Sequence, residues 1–185
     1  DRLQALMRRA PEARTTGEDA LSGTRSETAP VVVIGAGCIG ASVAYHLGRR
    51  GVRGVLVLEQ EPFAGAGSTS KAAGGVRAQF STPVNVQISM RSIAHLERFR
   101  EEMETDPVFF QVGYLFVLCD AERWASFQRQ VEMQRGLGLP VRTLTPDEVR
   151  DLVPALNVAD VLGGTYCPKD GLVNPHEITQ AYVAQ

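Results

Sequence analysis

The chain has 185 residues, 44% of them hydrophobic and 22% charged, with a formal net charge of −2. That size allows one substantial domain or parts of two, and the near-neutral balance gives no electrostatic case for binding nucleic acid or an acidic membrane surface. Cys38, Cys119 and Cys167 are widely spaced and form no CxxC pair, so neither a disulfide framework nor a zinc signature is indicated and a reducing cytoplasm is expected.

In chain order, "DRLQALMRRAPEART" has the pattern of a short amphipathic helix. A mitochondrial presequence is the alternative reading of this end, although Glu12, Glu18, Asp19 and Glu27 make it acidic for one. Small polar residues follow, and 1–29 reads as a flexible lead-in. No run reaches the ~18 apolar residues that suggest a membrane span.

Val31–Ile34 is a short β-branched run that suits a fully buried parallel strand. Gly35–Gly40 is a turn. Ile39, Val43, Ala44 and Leu47 then recur at helical spacing, and Gly51 stops the helix. Val55–Leu58 is a second buried strand that ends at Glu59. Gly35-Ala36-Gly37-Cys38-Ile39-Gly40 matches G-x-G-x-x-G, with an acid nineteen residues beyond Gly40. Each part has a physical role. Gly35 permits the tight turn, Gly37 lets a pyrophosphate approach the backbone, and Gly40 lets helix and strand pack closely. The helix N-terminus offers unpaired N–H groups and the positive end of its dipole. Glu59 would accept hydrogen bonds from ribose hydroxyls and repel a 2′-phosphate. Cys38, Ile39 and Gln60 complete the set around this half-site, which FAD and NAD share.

A second small-residue loop follows, "GAGSTSKAAGGVR". Ser68, Thr69 and Ser70 supply hydroxyls, and the Ala73-Gly74-Gly75 backbone can lie against a flat ring or a phosphate. Lys71 and Arg77 add positive charge. Val86, Met90, Ile93, Leu96, Phe99 and Met103 mark one face of a single amphipathic helix from about 84 to 103. "VFFQVGYLFVLCD" reads as one or two strands, 121–135 as a helix and 141–144 as a strand. Thr145-Pro146-Asp147-Glu148 has the form of a capping box. "VLGGTYCPKDGLVNP" suggests strand, turn and strand, and "PHEITQAYVAQ" opens a helix with no closing glycine, asparagine or proline. The expected organisation is α/β. A Rossmann-like dinucleotide domain occupies 30–105, and 106–185 is the incomplete start of an α+β substrate domain with a return toward the dinucleotide domain, as in a fragment of a longer protein.

The stretches "VVVIGAGCIGASVAYHLGRRG", "VLVLEQ", "GAGSTSKAAGGVRAQFS" and "DGLVNPHEITQAY" together resemble the FAD-dependent oxidoreductases of the D-amino-acid oxidase superfamily. The branch is that of the sarcosine oxidase beta subunit, glycine oxidase and dimethylglycine dehydrogenase. The resemblance runs from Pro30 to Gln185. It implies FAD with its pyrophosphate over Gly35, Gly37 and Gly40, its ribose on Glu59, and its ribitol and ring along Ser68, Thr69, Ala73, Gly74 and Gly75. It implies oxidation of the C–N bond of a small secondary amine or amino acid, sarcosine-like, by hydride transfer to flavin N5. The imine then hydrolyses, and oxygen or an electron-acceptor protein takes the electrons. Arg77 matches a basic position near the substrate carboxylate and is the catalytic candidate. Lys71 stands where dimethylglycine dehydrogenases carry a flavin-linked histidine, so non-covalent FAD is implied. Pro175 falls where heterotetrameric sarcosine oxidases attach FMN, with His176 one place later. In the family, residues past Gln185 finish the pocket, so this piece alone is expected to be inactive; a hetero-oligomer also fits. The alternatives are a non-catalytic FAD-binding assembly protein, which has a similar loop, and an NAD-dependent dehydrogenase. No metal site is expected.

Overall fold

The structure is a computed structural model that describes residues 28–185. The amphipathic helix and nearly all of the lead-in expected over 1–29 lie outside the described residues. In chain order the elements are β1 (Val31–Ile34), α1 (Cys38–Arg49), β2 (Val55–Leu58), a 3-10 turn (Ser68–Lys71), β3 (Gly75–Val76), α2 (Pro83–Glu97), α3 (Phe99–Met103), β4 (Tyr114–Leu118), α4 (Ala121–Gly136), β5 (Arg142–Leu144), α5 (Pro146–Leu152), β6 (Gly163–Cys167), β7 (Gly171–Leu172) and α6 (Pro175–Ala184). They form two compact units. One holds the described residues up to Ala73 together with Pro175–Gln185, and the other holds Gly74–Asn174.

In the first unit β1 and β2 pair in parallel, from Val31 opposite Val55 to Ile34 opposite Leu58. A parallel pair needs a crossover, and α1 provides it. Gly51, at φ 79°, takes the left-handed conformation that ends α1. Helix α1 packs on both strands and against α6, which also meets the 3-10 turn; Ala41, Val57, Ile178, Ala181, Tyr182 and Val183 are buried in this unit. The opposite face is open. Val32, Ile34, Leu56 and Leu58 are all exposed, Ile34 at 87%. The expectation of two fully buried strands is therefore corrected. Their continuous apolar character reflects two faces, and among the described residues only one is covered.

In the second unit three antiparallel strands run in the order β4-β6-β5, and β3 pairs separately with β7. Strands β6 and β7 follow the strand, turn and strand read from the sequence, and each pairs with a strand earlier in the chain. Val86, Ile93, Val131, Leu139, Val141 and Cys167 share one core with Ala78. This shared core explains why the second unit begins at Gly74. Helix α2 buries its apolar stripe against α4 and the chain around β5, so it belongs with them.

The single helix expected over 84–103 is broken at Arg98 (φ −104°, ψ 3°) into α2 and α3. The apolar stripe continues across the break, because Ile93, Phe99 and Met103 are all buried. Helix α4 is capped by Asp120, whose carboxylate accepts the Arg123 N–H at 2.8 Å. Helix α5 carries the capping box read from the sequence: the Thr145 hydroxyl accepts from Glu148 N at 3.3 Å, and Glu148 accepts from Thr145 N at 2.7 Å. Among the described residues no helix is long and apolar enough to cross a membrane.

Candidate cofactor site

The glycine turn lies between β1 and α1, and its backbone is held from three directions. Gly35 N donates to Leu58 O, tying the turn to the end of β2. Gly35 sits at φ 94°, where a side chain would be strained. Glu59, the last residue of the motif, reaches back across the turn. One of its oxygens accepts the Ala36 N–H at 2.6 Å and the other accepts the Glu61 N–H at 3.0 Å. The Glu61 and Ala36 amides hold its carboxyl below the ordinary 4.5. Glu59 is therefore an anion at neutral pH, with lone pairs left over on both oxygens.

The small-residue loop comes to the same place. Thr69 Oγ1 accepts the Cys38 N–H at 3.0 Å, at the first residue of α1. A Cβ added at Gly37 would meet that hydroxyl at 3.0 Å. A Cβ at Gly40 would overlap the Gly35 carbonyl oxygen and reach its carbon at 3.0 Å. So Gly37 is needed where the second loop approaches, and Gly40 where helix and strand meet. Among the described residues no acceptor faces the amides of Gly37, Ile39 and Gly40. These are the amides that a helix N-terminus presents to a phosphate. The donors and the close backbone approach fit a dinucleotide pyrophosphate, and Glu59 beside them fits a ribose.

The loop is buttressed from α6, through contacts that no local sequence pattern specifies. Gln180 donates to Ala64 O at 3.0 Å, and Gly65 N donates to Ala36 O at 3.0 Å. A Cβ at Gly65 would meet Thr179 at 3.4 Å. The Cys38 thiol is pushed up by burial, with a smaller opposing effect from its bond to Thr179. Burial accounts for Cys38 as a packing residue.

Among the sequence-derived residues, Gly35, Gly37, Cys38, Ile39, Gly40, Glu59 and Thr69 come together in the first unit. Gln60 and Ser68 are exposed beside them, and exposed Ala73 ends the unit's first segment. Gly74, Gly75 and Arg77 belong to the second unit. There Gly74 O accepts from Val173 N at 2.9 Å and Gly75 pairs with Leu172. The Arg77 guanidinium lies over three rings, 5.0 Å from Phe80, 5.3 Å from Phe116 and 5.7 Å from Tyr114. Among the described residues no carboxylate forms a salt bridge with it. No group of three or more His, Cys, Asp or Glu among the described residues could hold a metal ion.

The family model described as FAD dependent oxidoreductase (DAO) matches residues 30–185. The chain belongs to this family. FAD is the cofactor of the family domain, and its members are amine and amino-acid oxidoreductases. The chain is 32% identical over 189 residues to the mitochondrial dimethylglycine dehydrogenase of Rattus norvegicus, covering 97% of this chain and 22% of that protein. It is 32% identical over 163 residues to the mitochondrial sarcosine dehydrogenase of Mus musculus, covering 85% of this chain and 18% of that protein. Among solved structures, L-proline dehydrogenase from P. horikoshii superposes with a TM-score of 0.77 at 36% identity, over 85% of this chain and 41% of that one. The chain thus spans about a fifth of those curated relatives and about two fifths of the solved one.

Proposed function

We propose that the protein oxidises the C–N bond of a small secondary amine or amino acid, sarcosine-like, with FAD held non-covalently. The observation that carries this reading is the convergence of the Gly35–Gly40 amides, the Glu59 carboxylate and the Thr69 hydroxyl on one turn. Bound FAD supplies an acceptor for the hydride that leaves the carbon beside the substrate nitrogen. The chain's own residues do the rest. The amides of Gly37, Ile39 and Gly40 hold the pyrophosphate, assisted by the α1 dipole. Glu59 takes the ribose hydroxyls while it pins Ala36. Thr69 accepts from Cys38 N and still has its hydroxyl proton to donate to a phosphate oxygen. Cys38 and Ile39 line the turn, with Gln60 and Ser68 at its rim; Ala73, Gly74 and Gly75 are proposed as further cofactor-binding residues.

Arg77 binds the substrate carboxylate. Its guanidinium is oriented by aromatic rings and, among the described residues, forms no salt bridge, so a planar anion can engage it in bidentate fashion. Lys71, exposed at the end of the 3-10 turn, cannot form a histidyl–flavin link, which supports a non-covalent cofactor. Oxygen or an acceptor protein takes the electrons. Residence in the cytoplasm and a hetero-oligomeric assembly are further parts of the proposal; the dimethylglycine and sarcosine dehydrogenases to which the chain is similar are named as mitochondrial.

The test is the absorbance spectrum of the full-length protein, before and after acid precipitation and on anaerobic addition of sarcosine and related amines. Flavin that leaves with the supernatant and bleaches with one of these amines supports the reading. Flavin retained in the pellet, or colour unchanged across the whole panel, contradicts it.

A further inference from the structure

The second unit buries an acid that the reading above does not use. Asp170 has no exposed surface. One of its oxygens accepts the Ala78 N–H at 2.8 Å and the other accepts the Gln79 amide at 3.2 Å. Gln79, also buried, donates to the Tyr114 carbonyl at 2.8 Å, and its own oxygen accepts from the Thr165 hydroxyl at 2.8 Å. The Phe80 carbonyl accepts from Gln134 at 2.9 Å. All three residues after Arg77 are thereby tied down. On the other side, Val76 pairs with Gly171. A Cβ at Gly171 would overlap the Phe110 carbonyl oxygen, so this corner of the chain tolerates only glycine.

Arg77 is thus the single residue between two fastenings to the same Asp170–Gly171 corner. We infer that Asp170 is the positioning residue for Arg77: by clamping Ala78 and Gln79 it fixes the backbone from which the guanidinium lies over Tyr114, Phe116 and Phe80, in one orientation suited to a carboxylate. The inference rests on Arg77 being the carboxylate-binding group. Its physical content is pre-organisation. An arginine side chain has many rotamers, and binding an anion with a loose one costs the entropy of ordering it at that moment. A carboxylate suits this post because it is an acceptor only, and it faces three donors, the Ala78 N–H, the Gln79 amide and the Cys167 thiol, whose geometry is set from elsewhere. An asparagine would turn an N–H group on either Ala78 N or the Gln79 amide, and Gln79 cannot flip without losing its bond to the Tyr114 carbonyl.

The experiment uses the FAD-loaded full-length protein and the side-chain Nε–H resonance of Arg77, assigned by its disappearance in Arg77→Met. Acetate is the carboxylate probe. In the wild type the three rings displace this resonance from those of solvated arginines, and acetate shifts it. Asp170→Asn is expected to return it toward the solvated position and to weaken acetate by about tenfold, with flavin content unchanged. Gln79→Met, which keeps the Asp170–Ala78 bond, is expected to fall between the two and serves if Asp170→Asn does not fold. A wild-type-like Arg77 resonance and acetate affinity in the folded variants would overturn the inference. If acetate fails to move the resonance even in the wild type, the carboxylate role of Arg77 is wrong, while the resonance position in Asp170→Asn still decides whether Asp170 positions it.

Discussion

The same substitution, glycine to alanine, should have opposite signs at two positions of α1. Gly40 and Gly48 both lie inside the helix Cys38–Arg49. Alanine in a helix interior is favoured over glycine by roughly 0.5–1 kcal/mol, because less backbone entropy is lost. At Gly48 nothing lies within 4 Å of an added Cβ, so Gly48→Ala should gain that amount. At Gly40 the Cβ overlaps the carbonyl oxygen of Gly35, which is backbone and itself fixed by the bond from Gly35 N to Leu58 O. Relief requires α1 to move off β1 by about 1 Å, and a gap of that size forfeits roughly a quarter to a half of each dispersion contact across the interface. Overpacking of this kind costs about 1–3 kcal/mol. The net for Gly40→Ala is then a loss of about 1–2 kcal/mol, on the order of tenfold or more in FAD affinity if the turn must be restored on binding. The assay is urea denaturation of the two variants beside the wild type, with FAD dissociation constants from flavin fluorescence. A Gly40→Ala protein that is as stable as Gly48→Ala and holds FAD as well would refute the packing argument.

Replacing Glu59 with glutamine keeps an acceptor for the Ala36 amide but removes the charge. FAD should weaken by about tenfold, measured by the same titration, with NADP-type dinucleotides gaining relative to it. On acidification, Glu59 loses its bonds to the Glu61 and Ala36 amides, Glu97 its bond to Lys169, and Glu102 its bond to Arg98; all three carboxyls sit below 4.5. Their contribution is present above 4.5 and is lost as pH falls through the lowered values, although exposure keeps each one small. Burial raises Asp170 above 3.8, so its ionisation costs stability as pH rises through the folded value. Urea midpoints between about pH 6 and pH 3 should therefore fall less steeply in Glu97→Gln than in the wild type. Thr165→Val leaves the Gln79 oxygen buried without its donor and should destabilise by about 1–3 kcal/mol, read from thermal unfolding. Cys167, buried and pushed up to about 11 by desolvation, should resist thiol reagents until the chain unfolds, whereas exposed Cys119 labels in the native state; mass spectrometry after timed alkylation separates them.

Local signals are legible in the sequence. The Gly35–Gly40 turn, helix α1 and Glu59 follow from glycine placement and periodicity within some thirty residues, and the Thr145–Glu148 box is a local hydrogen-bond exchange. What escaped was set by partners far along the chain. The apolar stripe from Val86 to Met103 continues through Arg98, so hydrophobic spacing alone could not show that α2 ends there. Strand β7 pairs with β3, nearly a hundred residues earlier, and no local pattern specifies that choice. The open face of Val32, Ile34, Leu56 and Leu58 has the same composition as a buried one. Asp170 stood in view in "DGLVNP", but its role depends on Ala78 and Gln79, and a lone acid before a glycine reads equally well as a turn residue.

The central claim is that the cofactor rests on the start of α1 and on the loop that folds back to it. Amide hydrogen exchange of the full-length protein, compared with and without FAD, measures this residue by residue. The account predicts strong added protection at Gly37, Ile39 and Gly40 and around Ser68–Thr69. Protection confined to other segments, with these amides exchanging at the same rate in both states, would contradict it.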